Sequence, residues 1–206
     1  MKSFILNFSV KHKIPFLILI AFLLMQVRVF SQTFINGSFE INTAPAGVDQ
    51  INLTNVAFNA FMSNTNGFGS QENLDIITSS TWGSSGAQSG LWYVSLTGGG
   101  TDCLTMELSS PLIAGNSYTM SFYDRADAGF VPCPFTVGVS ASNASLGTAV
   151  YTGPTPVLDI WTQRTFTFIA PIAGQYISVV QGCVISNWAH IDNFSFPSTP
   201  VTDTII

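Results

Sequence analysis

Residues 118–125, with the sequence YTMSFYDR, alternate apolar and polar side chains with a period of two. Successive side chains of a β-strand point to opposite faces, whereas a helix repeats about every 3.6 residues. The stretch therefore predicts a strand that turns Met120 and Phe122 toward a core and Tyr123 and Arg125 toward the other face. This strand decides the fold class, because similar patterns recur along the chain.

The other alternating stretches are short and bounded by turn residues. We predict strands at residues 34–41, 91–96, 104–108, 135–140, 164–168, 175–180 and 190–196. Residues 42–89 are predicted to be loops with weak strands inside, and residues 97–102 a glycine-rich loop. About eight or nine short antiparallel strands predict an all-β domain, either a sandwich or a barrel.

The composition excludes several classes of protein. Charged residues make up 8% of the 206 residues, hydrophobic residues make up 47%, and the usual charged share is about 25%. Disordered chains combine low hydrophobicity with high charge, so this chain is not one of them. After residue 31 the chain has two basic and eleven acidic side chains. A domain with two cations cannot neutralise phosphates, which excludes nucleic acids and anionic membrane surfaces as partners.

The first 31 residues have the features of a signal peptide. Three lysines and no acidic residue precede twelve apolar residues at positions 14–25, whereas a membrane-spanning helix needs about 20. Small Ser31 with Val29 two residues before it predicts cleavage before Gln32; an uncleaved anchor is the alternative. Residues 32–196 are then one secreted domain, without membrane insertion after cleavage, and residues 197–206 are a C-terminal tail.

Four stretches of this domain resemble a known fold family. NGSFE at residues 36–40, HIDNFSF at residues 190–196 and LIAGNSYTMSF at residues 112–122 resemble the galactose-binding-like jelly roll, notably carbohydrate-binding modules of the family 4/9 type. The hairpin from Trp161 to residue 179 matches the pattern W…F.F.AP..G of that fold. The resemblance covers about residues 34–196, and the leader resembles those of secreted Bacteroidetes-type proteins. The resemblance of residues 34–196 implies a jelly-roll β-sandwich.

The resemblance also implies a structural calcium ion that joins the first and last strands. Its carboxylate ligands would be Glu40 and Asp192, with backbone carbonyls nearby. Ca²⁺ prefers oxygen ligands, and two adjacent carboxylates repel each other unless a cation lies between them. The alternative is that Asp192 caps a turn with Asn193 while Glu40 lies in solvent.

Ligand binding is expected on the concave sheet. Jelly-roll topology predicts that residues 118–125 lie between residues 135–140 and 175–181, which would line one groove with aromatic residues and one arginine. Trp161 opens a strand and Trp188 precedes the last one, so both are candidates for exposure. The predicted ligand-binding residues are Tyr93, Tyr123, Arg125, Trp161, Tyr176 and Trp188. In the alternative interpretation Arg125 pairs with Asp124, Asp127 or Glu107.

The three cysteines favour one disulfide in an exported protein. Their spacing matches no zinc motif. Jelly-roll topology predicts that Cys103 and Cys133 lie at one end of the sandwich and Cys183 at the other, so we predict a Cys103–Cys133 bridge. Three reduced, buried thiols are the alternative.

The predicted function is non-catalytic binding of a polysaccharide or glycoconjugate outside the cell. His190 is the one histidine after residue 31, no lysine occurs after residue 31, and the sequence contains no GxSxG element. General-base chemistry is therefore nearly confined to carboxylates. The alternative is a structural or adhesive cell-surface module without sugar binding, whose partners would be other surface proteins.

Overall fold

The computed structural model describes residues 32–78, 86–98, 101–131, 133–182 and 188–197. The predicted signal peptide and most of the predicted tail lie outside these residues, so both stay predictions. No helix among the described residues has the length and apolar composition that crossing a membrane requires.

The described residues form eleven strands and one short helix. Their order along the chain is β1 (Gln50–Leu53), α1 (Asn55–Phe61), β2 (Thr65–Gly69), β3 (Leu74–Ile77), β4 (Tyr93–Thr97), β5 (Asp102–Glu107), β6 (Ser117–Ala126), β7 (Phe135–Ser140), β8 (Thr148–Thr152), β9 (Thr162–Ile169), β10 (Tyr176–Gln181) and β11 (Trp188–Ser195).

Two antiparallel sheets pack face to face. The six-stranded sheet has the order β1-β3-β4-β11-β6-β9, and the five-stranded sheet has the order β2-β5-β10-β7-β8. Fully buried apolar side chains, such as Leu104, Phe122, Val137 and Ile191, fill the space between the sheets. The predicted all-β jelly-roll β-sandwich is confirmed.

The predicted position of the strand at residues 118–125 is wrong. It forms most of β6, which lies between β11 and β9, whereas β7 and β10 belong to the opposite sheet. Alternation along a strand shows which side chains face the core, but it does not show which strand lies alongside. The chain crosses between the sheets after β6 instead of forming a hairpin with β7.

Residues 34–41 form a turn with one isolated bridge, between Phe34 and Leu108, instead of the predicted strand. Asn36 causes the turn, because its Nδ2 donates to the carbonyl oxygen of Ile41 at 3.0 Å and its Oδ1 accepts from the Ile41 N–H at 3.0 Å. Phe39 lies inside this loop with φ = 60°. Local side-chain hydrogen bonds of this kind compete with a strand ladder.

The helix α1 lies in the region predicted to be loops. Thr54 caps its N-terminus, since the hydroxyl accepts from the Ala57 N–H at 3.2 Å. Asn59 of α1 accepts from the Gly67 N–H at 2.6 Å and donates to the Gly67 carbonyl oxygen at 3.1 Å. With seven residues, the helix is too short to show a 3.6-residue pattern, yet it is fixed beside β2.

Candidate functional site

A polar cleft of about 270 Å³ lies on the outer face of the five-stranded sheet. The core-facing residues of β5 are Leu104 and Met106, so the alternating Thr105 and Glu107 point outward. The cleft is lined by Asn59, Met62, Asn64, Thr65, Asn66, Thr105, Glu107, Asn143 and Tyr176. It combines one aromatic ring and one carboxylate with several amide and hydroxyl groups.

Tyr176 and Glu107 lie side by side in the lining of this cleft. They are direct cross-strand partners in the register of β10 and β5, and both are half-buried. Asn64, which lies in the left-handed region at φ = 57°, donates from Nδ2 to Glu107 Oε2 at 3.1 Å. The Glu107 N–H also donates to the Asn64 carbonyl oxygen at 2.9 Å. These contacts hold the carboxylate beside the tyrosine.

Residues 141–147, which we call the wall loop, lie over the middle of the same sheet face. The carbonyl oxygen of Asn143 accepts from Thr105 Oγ1 at 2.7 Å and from Asn66 Nδ2 at 2.9 Å. The carbonyl oxygen of Leu146 accepts from Ser178 Oγ. A Cβ atom on Gly138 would lie 2.2 Å from that carbonyl oxygen, so glycine is needed there. The wall loop is therefore fixed on β2, β5, β10 and β7.

A second polar cluster lies on the outer face of the six-stranded sheet. Arg125 is fully buried, and its guanidinium carbon lies 4.5 Å from the Trp161 ring centroid and 5.1 Å from that of Tyr93. Nη1 donates to the carbonyl oxygen of Gly86 at 3.1 Å, and Trp161 Nε1 donates to the same oxygen at 2.8 Å. The arginine thus joins two rings to the backbone of a covering segment.

One carboxylate and one histidine extend this cluster beyond the arginine. Nη2 of Arg125 lies 3.9 Å from Asp127 Oδ1, and His190 Nε2 lies 2.7 Å from Asp127 Oδ2. Burial lowers the pKa of His190, although Asp127 opposes the shift. Asp75, Asp127 and His190 line a cavity of about 10 Å³ together with Ser95 and Trp188, a volume that suits about one water molecule.

Residues 86–92, which we call the cover segment, are held by three of the charged residues identified in the sequence. Besides Arg125, Asp192 Oδ2 accepts from the N–H groups of Gln88 at 2.9 Å and Ser89 at 3.0 Å. Glu40 Oε1 accepts from the N–H groups of Leu91 at 2.9 Å and Trp92 at 2.8 Å. The cover segment is therefore bound by one carboxylate from near each end of the domain.

The segments that carry Glu40 and Asp192 pack directly on each other. The Phe194 N–H donates to the Gly37 carbonyl oxygen at 2.8 Å, and a Cβ atom on Gly37 would lie 2.3 Å from the Phe194 carbonyl oxygen. The residues flanking the carboxylates, Phe39 and Asn193, have φ values of 60° and 53°. For a bulky residue such as phenylalanine that backbone region is costly, so the packing determines the position of each carboxylate.

Asp192 is a fully buried carboxylate beside a second acidic group. Burial raises its pKa to about 7, three backbone N–H groups lower it, and the charge of Glu40 raises it further. The bonds that Glu40 accepts from the cover segment go to Oε1, which leaves Oε2 for another partner. No group of three or more His, Cys, Asp and Glu side chains in the described ranges is arranged to hold a metal, so a calcium ion here would need backbone oxygens in addition to the two carboxylates.

The structure separates the predicted ligand-binding residues into two places. Tyr176 lies in the cleft on the five-stranded sheet, whereas Tyr123, on β6, is half-buried on the other sheet. Trp188 begins β11 on that sheet as well. Tyr93 and Arg125 are fully buried and line no groove among the described residues, and Trp161 packs on them. The expectation of one shared groove is wrong because it depended on the wrong neighbour for β6, and the alternative pairing of Arg125 with Asp127 is observed.

The predicted Cys103–Cys133 bridge is wrong. Cys103 is a free, buried thiol, and Cys133 is disulfide-bonded to a partner outside the described residues. Cys103 faces Val180 of β10, which faces Thr136 of β7, so two strand spacings of about 4.8 Å separate it from β7. A disulfide needs Cα atoms within about 7 Å. Burial raises the pKa of the Cys103 thiol to about 12.

The predicted bridge is wrong because the prediction assumes the wrong end of the sheet for the residues that follow β10. The prediction places the residues that follow β10 at the opposite end from Cys133. Because β10 and β7 are antiparallel, residues after β10 instead meet residues before β7, and the Gly182 N–H donates to the Pro134 carbonyl oxygen at 3.0 Å.

Sequence reasoning missed most of the residues that line the cleft. Two features of the sequence point to this cleft. In residues 103–107, Thr105 and Glu107 alternate with core side chains, and residues 59–66 contain several asparagines. From the sequence, Glu107 is a candidate only as one of the three carboxylates that could pair with Arg125. Without the pairing of β2, β5 and β10, nothing in the sequence places these groups beside Tyr176.

Comparison with solved structures shows the fold. The K2 cleaved adhesin domain of Lys-gingipain aligns with a TM-score of 0.53 and 13% identity, over 81% of this chain and 97% of that domain. The module TmCBM61, solved with β-1,4-galactotriose, aligns with a TM-score of 0.45 and 18% identity, over 65% and 87%. The xylan-binding CBM22-1 domain of Paenibacillus barcinonensis Xyn10C aligns with a TM-score of 0.42 and 15% identity, over 81% and 90%.

No protein-family model matches the sequence, and no curated protein does. These three structures are two carbohydrate-binding modules and one adhesin domain, all at low sequence identity. The TM-score of 0.53 to the K2 adhesin domain shows that this chain shares its fold.

Proposed function

We propose that this chain is a non-catalytic carbohydrate-binding module that holds a glycan in the cleft around Tyr176. The observation that carries the proposal is the pairing of Tyr176 with Glu107 on the outer face of the five-stranded sheet, beside Asn64. An aromatic ring can cover the C–H face of a sugar, while amide and carboxylate groups bind its hydroxyls. Binding sites commonly combine an apolar surface with a few well-placed polar groups.

The described carboxylates support binding without hydrolysis. Glycosidases place two carboxylates on either side of the bond that they cleave, and Glu107 is the one carboxylate among the described residues that line this cleft. Asp102, at the other end of β5, is fully buried and accepts from the N–H groups of Asn73 and Thr97, both at 3.2 Å. His190 is buried on the other sheet and cannot reach a ligand in the cleft.

Replacing Tyr176 with alanine tests the proposed site. We expect the variant to bind glycans at least about tenfold more weakly than wild type, because the sugar face loses its aromatic platform; a tenfold loss corresponds to about 1.4 kcal/mol. A glycan array followed by titration of the best-bound glycan measures the effect. The matched control is Tyr123→Ala, which removes a half-buried tyrosine from the other sheet and should leave binding unchanged. Loss of binding in Tyr123→Ala but not in Tyr176→Ala would contradict the proposed site.

We further propose that Glu40 and Asp192 hold a structural calcium ion. The proposal is supported by the burial of Asp192 next to Glu40, by the close packing of the two segments, and by the remaining lone-pair capacity of Glu40. A carboxylate oxygen has two lone pairs, so accepting an N–H does not prevent it from binding a cation. When bound, the ion would join the turn at residues 36–40 to β11, and its role would be stability.

Removing calcium should lower the melting temperature. At a free calcium concentration about one hundred times the dissociation constant, binding to the folded state alone stabilises by about 2.7 kcal/mol, which corresponds to roughly 5–11 °C for a domain of this size. Scanning calorimetry with EDTA and with excess calcium measures the shift. Glu40→Gln should abolish most of it, whereas the control Glu107→Gln should keep it. Equal wild-type melting temperatures with EDTA and with calcium would rule the site out.

The place of action that fits this function is outside the cell. We propose that residues 1–31 are a signal peptide and that the domain acts as a secreted or cell-surface protein whose partners are polysaccharides or glycoconjugates. The second candidate function is adhesion to surface proteins. The structural similarity to the adhesin domain of Lys-gingipain favours it, and a domain that binds no glycan on the array would support adhesion over sugar binding.

A further inference from the structure

The wall loop divides the outer face of the five-stranded sheet. Asn66, Thr105, Ser178 and Gly138 form one row across β2, β5, β10 and β7, and the wall loop contacts every member of that row. A chain of sugars that crossed this row along the strands would have to displace the loop. The cleft therefore occupies one half of the face.

The two sides of the cleft, toward β7 and toward β2, are also bounded. On the β7 side the wall loop begins directly after Ser140, which is the cross-strand partner of Tyr176, and Ser140 Oγ donates to the Ser142 carbonyl oxygen at 2.8 Å. On the β2 side, Asn59 of α1 and Met62 line the cleft. The volume of about 270 Å³ lies below the range of about 300–1,000 Å³ of pockets that enclose drug-sized ligands.

The charges around the cleft select against acidic sugars. Glu107 contributes a carboxylate to the lining. Of the described basic side chains, Arg125 is fully buried, and Arg164 donates from Nε to Asp124 Oδ2 at 2.8 Å on the other sheet. A uronic acid or sulfated sugar would face Glu107 without a cation from the described residues to compensate its charge, and unpaired like charges disfavour binding.

We infer that the cleft binds the terminal one or two units of an uncharged glycan and excludes the interior of a long chain. This inference rests on the proposed function, since it specifies which part of a glycan the proposed site accepts. The wall loop limits the length of the bound segment, and Glu107 excludes acidic units.

The test compares oligosaccharides of increasing length. Titration calorimetry with ladders of β-1,4-linked galactose, glucose and xylose, from one to six units, gives a dissociation constant for each length. We expect the constant of the best ladder to change less than about twofold between two and six units. Oligogalacturonate of the same lengths should bind at least about tenfold more weakly than the neutral ladder.

Three other results would each overturn a different part of the proposal. A dissociation constant that falls more than about tenfold between two and six units would overturn end recognition, while sugar binding itself would stand. Absence of binding to every ladder and to a broad neutral glycan array would overturn the proposed function together with this inference. Preferred binding of oligogalacturonate would contradict the role assigned to Glu107.

Discussion

Replacing Arg125 with alanine is expected to lower the free energy of unfolding by about 3–5 kcal/mol, the usual loss when one partner of a buried ion pair is removed. The guanidinium is fully buried between the rings of Trp161 and Tyr93 and donates to the Gly86 carbonyl oxygen. The variant would leave Asp127 buried without its cation and would open a cavity between the rings. Urea denaturation measures the loss.

Two further variants separate charge from packing. Arg125→Met keeps apolar volume between the rings but still leaves Asp127 buried without its cation. This variant should therefore remain less stable than wild type. Combining it with Asp127→Asn removes both charges and should recover a large part of the loss, because well-packed neutral replacements of buried pairs are often tolerated. Tyr123→Ala, two residues earlier on β6, should lower the free energy of unfolding much less. An Arg125→Ala protein within about 1 kcal/mol of wild type, far below the loss expected for a buried pair, would show that the arginine is not a structural residue.

Replacing Asp75 with asparagine is expected to stabilise the protein at pH 8 but not at pH 4. Asp75 is buried, and burial raises its pKa to about 7, with the charges of Asp102 and Asp49 adding to the shift. Folded Asp75 therefore keeps a proton that the unfolded chain releases near pH 4. The stability that this proton contributes is fully present below about pH 4 and is lost as the pH rises from there through about 7.

The difference between a pKa of about 7 in the folded protein and about 4 in the unfolded chain sets a ceiling of roughly 4 kcal/mol on the effect. The asparagine in the Asp75→Asn variant would keep an oxygen that can accept from the Asn52 N–H, a bond of 2.6 Å in the wild type. Melting temperatures of both proteins at pH 4 and pH 8, at one fixed free calcium concentration, give the comparison. If the melting temperatures of the two proteins differ by the same amount at pH 4 and at pH 8, the pH-dependent contribution of Asp75 to stability is contradicted.

The fold class could be predicted from the sequence because the alternation of apolar and polar residues along a strand indicates which side chains are buried. The strand at residues 118–125 buries Met120 and Phe122 as predicted. The turn at residues 34–41 could not be predicted from alternation, because the amide of Asn36 replaces strand pairing with local hydrogen bonds. The order of strands within each sheet depends on long-range pairing, which alternation does not encode.

The site was predicted less well for the same reason. Tyr176 was identified as a candidate, but its neighbours Glu107 and Asn64 come from another strand and a turn. Arg125 is a rare cation near tyrosines in the sequence, and its guanidinium does lie against the rings of Tyr93 and Trp161. A sequence cannot show whether such a residue faces solvent, and here the cover segment buries it. The nearness of Glu40 to Asp192 followed from the resemblance, not from residue patterns.

An NMR titration shows directly where on the domain a glycan binds. Backbone amide shifts of the ¹⁵N-labelled domain would be followed while the best-bound neutral disaccharide is added. We predict the largest changes on β5, β10 and the wall loop, at Glu107, Tyr176 and Asn143, with little change at Tyr123. Changes centred on the six-stranded sheet, or none with any array-selected glycan, would contradict the account.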